Sequence, residues 1–199
     1  MARPRSYDEA SVVAAAMNVF WRKGYVATSM ADLYQATGLK PGNLYATFQD
    51  KEHMFRKAFE AYAAQYRSSL PGEAKGLEAI KSWLDTQVRL AIEDPERKGC
   101  LIVNTVAERS AHSPETHALA QARLDEITGF FRQALGDAVA LGEVRPDIHV
   151  DAHAAALTGS VIAIMTMGRG GASAEVIQAV GNVASASLRR KHSNAPLVP

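Results

Sequence analysis

Apolar residues recur every three or four positions along most of the chain, and no stretch alternates strictly between apolar and polar side chains. That periodicity predicts helices and few or no strands. Pro4, Pro41, Pro71, Pro95, Pro114 and Pro146 divide the helical stretches, because proline lacks an amide hydrogen and interrupts a helix interior. Ser6-x-x-Glu9 has the spacing of a capping box and opens a first helix with Val13, Ala16, Met17 and Phe20 on one face, closed at Gly24. Ser29-x-x-Asp32 opens a short second helix that ends at Gly38, Pro41 suits the first turn of a third, and Asp50 can cap a fourth over 51–69.

Beyond Pro71-Gly72 the helices lengthen. Leu77, Ile80, Leu84, Val88 and Ala91 share a face, and a helix of about three turns is predicted from Leu101 to Ala111. Ser113-Pro114-Glu115 combines a cap, a first-turn proline and an acid favoured by the helix dipole. It starts a long amphipathic helix through Ala120, Leu124, Ile127, Phe131 and Leu135 to about Leu141. Two helices remain, 150–167 and 174–191, joined by a Gly168-Arg169-Gly170-Gly171 turn with Ser173 as cap. The fold class is therefore all-α with about nine helices, and the domain boundary falls in a turn near Pro71 to Lys75.

The segment from Phe20 to Phe48 carries the clearest functional signal. Two short helices separated by Ala36-Thr37-Gly38-Leu39 are what a helix-turn-helix requires: glycine permits the turn, and Leu39, Leu33 and Ala36 can fill the space between the helices. A helix enters a major groove about 12 Å wide only with small or polar residues at its leading end. Lys40, Pro41, Gly42 and Asn43 form such an end: a cation, a glycine for close approach and an amide able to read adenine. Tyr45 and Thr47 add hydroxyls for phosphate oxygens. An ordinary helical hairpin, with Tyr45 and Phe48 as core aromatics and Lys40 solvated, fits the same spacing.

The run Gly24-Tyr25-x-x-Thr28-Ser29-x-x-Asp32-Leu33-x-x-Ala36-x-Gly38-Leu39-x-x-Gly42-x-Leu44-Tyr45-x-x-Phe48-x-x-Lys51-Glu52 resembles the N-terminal domain of TetR-family transcriptional repressors over about residues 7–60. The resemblance implies an N-terminal three-helix DNA-binding domain over 1–50, a fourth helix over 51–69 that connects it, and a C-terminal effector-binding and dimerisation domain over 70–199. It places Thr28, Ser29, Lys40, Pro41, Gly42, Asn43, Tyr45, Thr47 and Lys51 at or near double-stranded operator DNA, with Tyr45 and Lys51 on phosphates and Lys40, Gly42 and Asn43 nearest the bases. Arg3 and Arg5 could reach an adjacent minor groove. The implied regulator is a homodimeric repressor of a nearly palindromic operator, released by an unidentified small molecule, with a switch by a protein partner as the alternative. Its last two helices would form the dimer interface, with Ala154, Ala155, Gly159, Ala163, Ala184 and Leu188 permitting close packing. A cavity among helices 75–141 would hold the effector, with Trp83, Leu84, Val88, Asn104, Glu108, Ile127 and Phe131 as candidate walls; packing is the alternative role for the aromatic and aliphatic members.

Composition narrows the alternatives. The 199 residues are 47% hydrophobic and 22% charged, enough apolar material for a core. Net charge is +1, and residues 1–60 hold eight Lys/Arg against six Asp/Glu, so charge alone does not signal nucleic acid. The single cysteine, Cys100, can form no internal bridge and fits a reducing cytoplasm; before a helix start it is also a candidate redox switch, with an inert buried filler as the alternative. The N-terminus has no apolar leader, and the uncharged stretch Ala154–Gly168, interrupted by Thr158, Gly159 and Ser160, is shorter than the ~20 residues of a membrane span. A cytoplasmic protein without membrane contact is expected. His149 and His153, beside Asp147 and Asp151, share a helix face but make no specific metal motif, and Glu108, His112 and His117 are the residues an all-helical enzyme would use. No nucleophile elbow, phosphate loop or cofactor motif accompanies them, so neither an enzyme, a metal nor a cofactor is expected.

Overall fold

The computed structural model describes residues 7–188. Within them the chain forms α1 (Glu9–Lys23), α2 (Met30–Thr37), α3 (Pro41–Phe48), α4 (Lys51–Ser68), α5 (Gly76–Glu93), α6 (Leu101–Ala107), α7 (Pro114–Ala140), α8 (Val150–Gly170) and α9 (Ala174–Ala186), with a 3-10 turn over Arg109–Ala111. No strand occurs among the described residues. Arg3, Arg5, the Ser6 capping position and the expected end of the last helix at Lys191 lie outside them.

Local chemistry sets most helix ends. The first cap is Asp8, whose carboxylate accepts from the Ala10 and Ser11 amides. Ser29 and Asp32 form a reciprocal capping box at α2, and Gly38 ends that helix in the left-handed conformation at φ 67°. Asp50 accepts from the His53 amide to start α4, and Ser113 accepts from the Thr116 amide to start α7. Two ends differ from expectation. α6 stops at Ala107 and tightens into the 3-10 turn. α8 continues through Gly168, Arg169 and Gly170, and only Gly171, at φ 83°, closes it. At 21 residues and a mean hydropathy of 1.4, α8 is long and apolar enough to cross a membrane, longer than the sequence expectation; here it packs on α5, α6, α7 and α9.

The helices form a small head and a larger body that share one continuous core. In the head, α1 packs on α2 and along α4, while Phe20, Leu33, Leu44 and Phe48 are essentially fully buried. Leu39 packs against this core, whereas Ala36 is exposed. The body is a bundle of α5, α7, α8 and α9, with α6 between the bundle and α4. Two glycines let its helices cross closely. A Cβ on Gly168 would sit 3.0 Å from the Ala91 carbonyl oxygen on α5, and one on Gly181 would sit 2.6 Å from Val88 Cγ2.

Candidate functional site

α3 has two unlike faces. Leu44 and Phe48 are buried, anchoring it to the head, while Lys40, Pro41, Gly42, Asn43 and Tyr45 are exposed at its leading end. No side chain caps that end: Lys40 is the N-cap residue and makes no capping hydrogen bond, so the helix start keeps its positive dipole open to an anion. Gly42 has a backbone any residue can adopt, and a Cβ built on it meets nothing within 4 Å. Neither strain nor packing inside the subunit demands glycine there. The Tyr45 hydroxyl across the turn is the main influence that raises the Tyr34 pKa, and burial adds to it.

Behind the turn, the head is pinned to the body by polar contacts. The Glu108 carboxylate accepts the Tyr25 amide at 2.9 Å, and it lies so near Gly24 that a Cβ there would come within 2.7 Å of Oε1. Glu52 on α4 accepts the Ser113 amide at 3.0 Å. Burial works against the Glu52 charge, but the nearby Thr116 and Tyr25 hydroxyls and the Ser113 amide outweigh it and hold the carboxyl below its ordinary value. The His112 side chain has no solvent exposure, lies against the Tyr25 and Phe55 rings, and has neither ring nitrogen hydrogen-bonded; burial lowers its pKa against the opposing pull of Glu52 and Glu108. On the other side, the Arg169 guanidinium from α8 donates to the Trp21 carbonyl at 3.1 Å and the Lys98 carbonyl at 2.6 Å.

Next to that clamp lies a cavity of about 380 Å³ between α1, α4, α5, α8 and the loop before α6. Trp21, Tyr62, Tyr66, Leu90 and Met165 supply apolar and aromatic wall, with Gln87 and Cys100 buried among them. The Trp21 indole donates to the Gly99 carbonyl at 2.8 Å. The Gln87 amide nitrogen and oxygen and the Tyr66 hydroxyl are all buried without a hydrogen-bond partner. Most buried polar groups are paired, so three orphaned atoms on one cavity mark a place where a partner is missing. Cys100 is fully buried, and burial pushes its thiol up against the opposing Tyr62 hydroxyl and the Val103 and Ile102 amides.

Comparison with known proteins places this architecture. Residues 12–58 match the family model for bacterial regulatory proteins of the tetR family, and residues 76–182 match the tetracyclin repressor-like C-terminal domain. The HTH-type transcriptional repressor ComR of Escherichia coli (strain K12) is 31% identical over 193 residues, covering 94% of this chain and 90% of ComR. The chain belongs to the TetR family. It is accordingly one of a family of DNA-binding transcriptional regulators. An uncharacterized HTH-type regulator of Bacillus subtilis (strain 168), YezE, is 32% identical over 151 residues, covering 72% of this chain and 76% of YezE. Among solved structures, a cysteine mutant of the TetR-family regulator CifR, complexed with 26-base-pair operator DNA, superposes with a TM-score of 0.80 at 27% identity, covering 94% of this chain and all of that one.

Within this TetR-family fold, the residues singled out from the sequence separate into open and committed groups. Lys40, Pro41, Gly42, Asn43 and Tyr45 are open. Thr28 is not: it is 2% exposed, and its hydroxyl donates to the Gly24 carbonyl, so it shapes the turn rather than a surface. Ser29 is spent on its capping box. Thr47 donates to the Asn43 carbonyl and also bonds the Tyr7 hydroxyl. Lys51 is turned inward, its ammonium 4.2 Å from the centre of the Tyr25 ring, and burial lowers its pKa against the pull of Glu108 and Glu52.

None of the seven candidate effector residues lines this cavity, although Val88 borders a separate, more open groove between α5 and α9. Trp83, Leu84, Val88, Ile127 and Phe131 are filled core; Asn104 donates to the Lys98 carbonyl, and Glu108 belongs to the head's turn. Cys100, buried with its thiol kept protonated, is a poor nucleophile and lacks the environment of a redox switch. His149 caps α8 through the Ala152 amide, and the His153 ring bonds the His149 carbonyl. Ala154, Ala184 and Leu188 face the subunit's own core, leaving Ala155 and Gly159 exposed on α8. The sequence reading missed Glu52, Arg169, Trp21, Tyr62, Tyr66 and Gln87. Gln87 left a trace: it sits on the apolar face marked by Ile80, Leu84 and Ala91, where a polar residue is unexpected.

Proposed function

We propose that this chain is a transcriptional repressor that binds a nearly palindromic operator as a homodimer and is released when a small molecule fills the cavity behind α1. In this reading residues 1–50 meet the DNA, 51–69 connect, and 70–199 hold the effector and the dimer contact. α3 lies in the major groove, with Asn43 and Lys40 toward base edges and Tyr45 toward a phosphate. The observation that carries it is Gly42: a glycine free of strain and of neighbours, flanked by exposed Lys40 and Asn43 at an uncapped helix start. That combination has no use inside the subunit and suits close approach by an anionic polymer.

The second copy would dock on the outward faces of α8 and α9, where Ala155, Gly159, Val176 and Val183 are exposed. This is an apolar, small-residue surface of the kind that lets helices pack closely. The effector would act directly on the head, because Trp21 belongs to α1 and yet lines the cavity, and Arg169 holds the same end of α1. An occupant that moves Trp21 changes the relative separation of the two α3 helices, and release follows if it binds that separation better. Such a regulator would work in the cytoplasm. Fluorescence anisotropy of labelled duplexes tests the proposal: it requires sequence-selective binding that weakens steeply with salt, and equal indifference to every duplex would refute it.

A further inference from the structure

Resting on the reading of the cavity as the effector site, we propose that its ligand is an uncharged, flat aromatic compound whose edge carries a hydrogen-bond donor beside an acceptor, as in an aryl carboxamide or a lactam. The donor–acceptor edge is set by Gln87. Its side chain is 1% exposed, lines the cavity, and leaves both amide nitrogen and oxygen without partners. Both atoms are out of reach of solvent as placed; with the Gln87 side chain turned toward the cavity, a second amide presented edge-on satisfies both with two parallel hydrogen bonds, which neither a lone acceptor nor a lone cation can do. The unpaired Tyr66 hydroxyl supplies a further contact. The walls favour an aromatic, flat ligand: the Tyr62 and Tyr66 rings, one turn apart on α4, are inclined by 27° with centroids 6.2 Å apart, and Trp21 stands edge-on to Tyr62 at 4.9 Å. At about 380 Å³ the cavity is near the lower end of the ~300–1,000 Å³ usual for small-molecule sites, which fits one or two rings.

Neutrality is favoured because the charged side chains around the cavity are already engaged, Asp94 by backbone amides and Lys98 and Glu93 by ion pairs. Asp94 accepts the Glu96 and Lys98 amides at 3.0 and 2.7 Å. The Lys98 ammonium pairs with Glu96 at 3.0 Å and lies 4.6 Å from the centre of the Trp21 ring, so the aromatic face that would attract a cation is occupied. Glu93 lies 3.6 Å from Arg89. A charged ligand beside the buried Gln87 would find each of these side chains already engaged, and desolvation there disfavours it.

Four probes of one shape test this: 2-naphthamide, 2-methylnaphthalene, 2-naphthoate and 2-naphthylmethylammonium, titrated by calorimetry into the full chain without DNA. The proposal expects 2-naphthamide to bind at least ~10-fold tighter than the other three, the ratio carried by a buried hydrogen-bonded pair. Gln87→Leu, shown to be folded by a melting temperature no lower than the parent's, should erase the preference of 2-naphthamide over 2-methylnaphthalene. Tyr66→Phe should reduce it in part. Either ionic probe binding as tightly as the amide, an unchanged preference in Gln87→Leu, or no binding by any of the four would overturn the proposal. Amide binding that leaves operator affinity unchanged would instead refute the effector reading while the ligand class stands.

Discussion

The leading end of α3 and the cavity behind α1 are opposite kinds of site. The first is a convex edge whose functional atoms point outward and whose neighbours are close in sequence: Lys40, Gly42 and Asn43 lie within four residues and depend on one turn and one proline. The second is a hollow whose walls come from α1, α4, α5, α8 and a loop, joining Trp21 to Met165. A site of the first kind is written locally and stands on ordinary packing beneath it. A site of the second kind exists only once distant helices are assembled, and it holds polar groups that the fold leaves unsatisfied.

The comparison predicts that stability and DNA binding come apart at neighbouring positions of α3. The largest effect should come from beneath the edge. Leu44→Ala removes a fully buried side chain from the head and should cost about 2–5 kcal/mol of unfolding free energy, read by chemical denaturation. One position earlier, Asn43→Ala should leave stability within about 0.5 kcal/mol but weaken the selected operator by about 1–3 kcal/mol, read by anisotropy. If Asn43→Ala instead destabilises the fold without changing operator affinity normalised to folded protein, the two faces of α3 are not separate.

Gly42→Ala sharpens the distinction because the two readouts should move in opposite directions. The open space around a Cβ there leaves only the helix preference of alanine, worth roughly 0.5–1 kcal/mol of added stability, while the methyl group stands in the way of a close partner. A more stable variant with weaker operator binding is the expected result. Unchanged operator binding would show that no surface approaches Gly42.

The smallest effect concerns the junction. Burial lowers the His112 pKa, so the unfolded chain takes up a proton that the folded chain resists. The associated stability is full above the histidine's unfolded pKa of about 6.5 and is lost as pH falls below it toward the folded value. The parent's melting temperature should therefore drop between pH 7.5 and 5.5, and His112→Phe, which keeps a ring between Tyr25 and Phe55, should flatten that slope. The depressed carboxyl of Glu52 adds stability above its own unfolded value and loses it only as pH falls through the folded one, in the carboxylate range below this window. An identical slope in His112→Phe would assign the effect to other groups.

What the sequence made legible follows the same division. Ser29 with Asp32, Pro41, Asp50 and Ser113-Pro114 set helix starts through bonds to amides a few residues away, so spacing alone revealed them, and the exposed end of α3 came with them. Asp8 was passed over because Ser6-x-x-Glu9 also had capping spacing. The Gly168–Gly170 stretch looked like a turn, but Gly168 is there because α8 crosses Ala91 of α5 too closely for a side chain. Trp83, Ile127 and Phe131 were rightly inward-facing, yet periodicity cannot separate a filled interior from a hollow one. Their neighbours Tyr66 and Gln87 took the cavity instead. Thr28 and Lys51 illustrate the remaining limit: both sit in the motif that carries the family resemblance, but one is spent on the Gly24 carbonyl and the other lies over Tyr25.

Whether the leading end of α3 lies against nucleobases is read from binding-site selection on random duplex DNA, run in parallel with the parent chain and Asn43→Ala. The parent should enrich an inverted repeat with half-site centres about one helical turn, or a multiple of it, apart, and Asn43→Ala should lose that enrichment or relax it at the positions the amide reads. Enrichment of no sequence by the parent, or of the same repeat with the same affinity by both proteins, would contradict that contact.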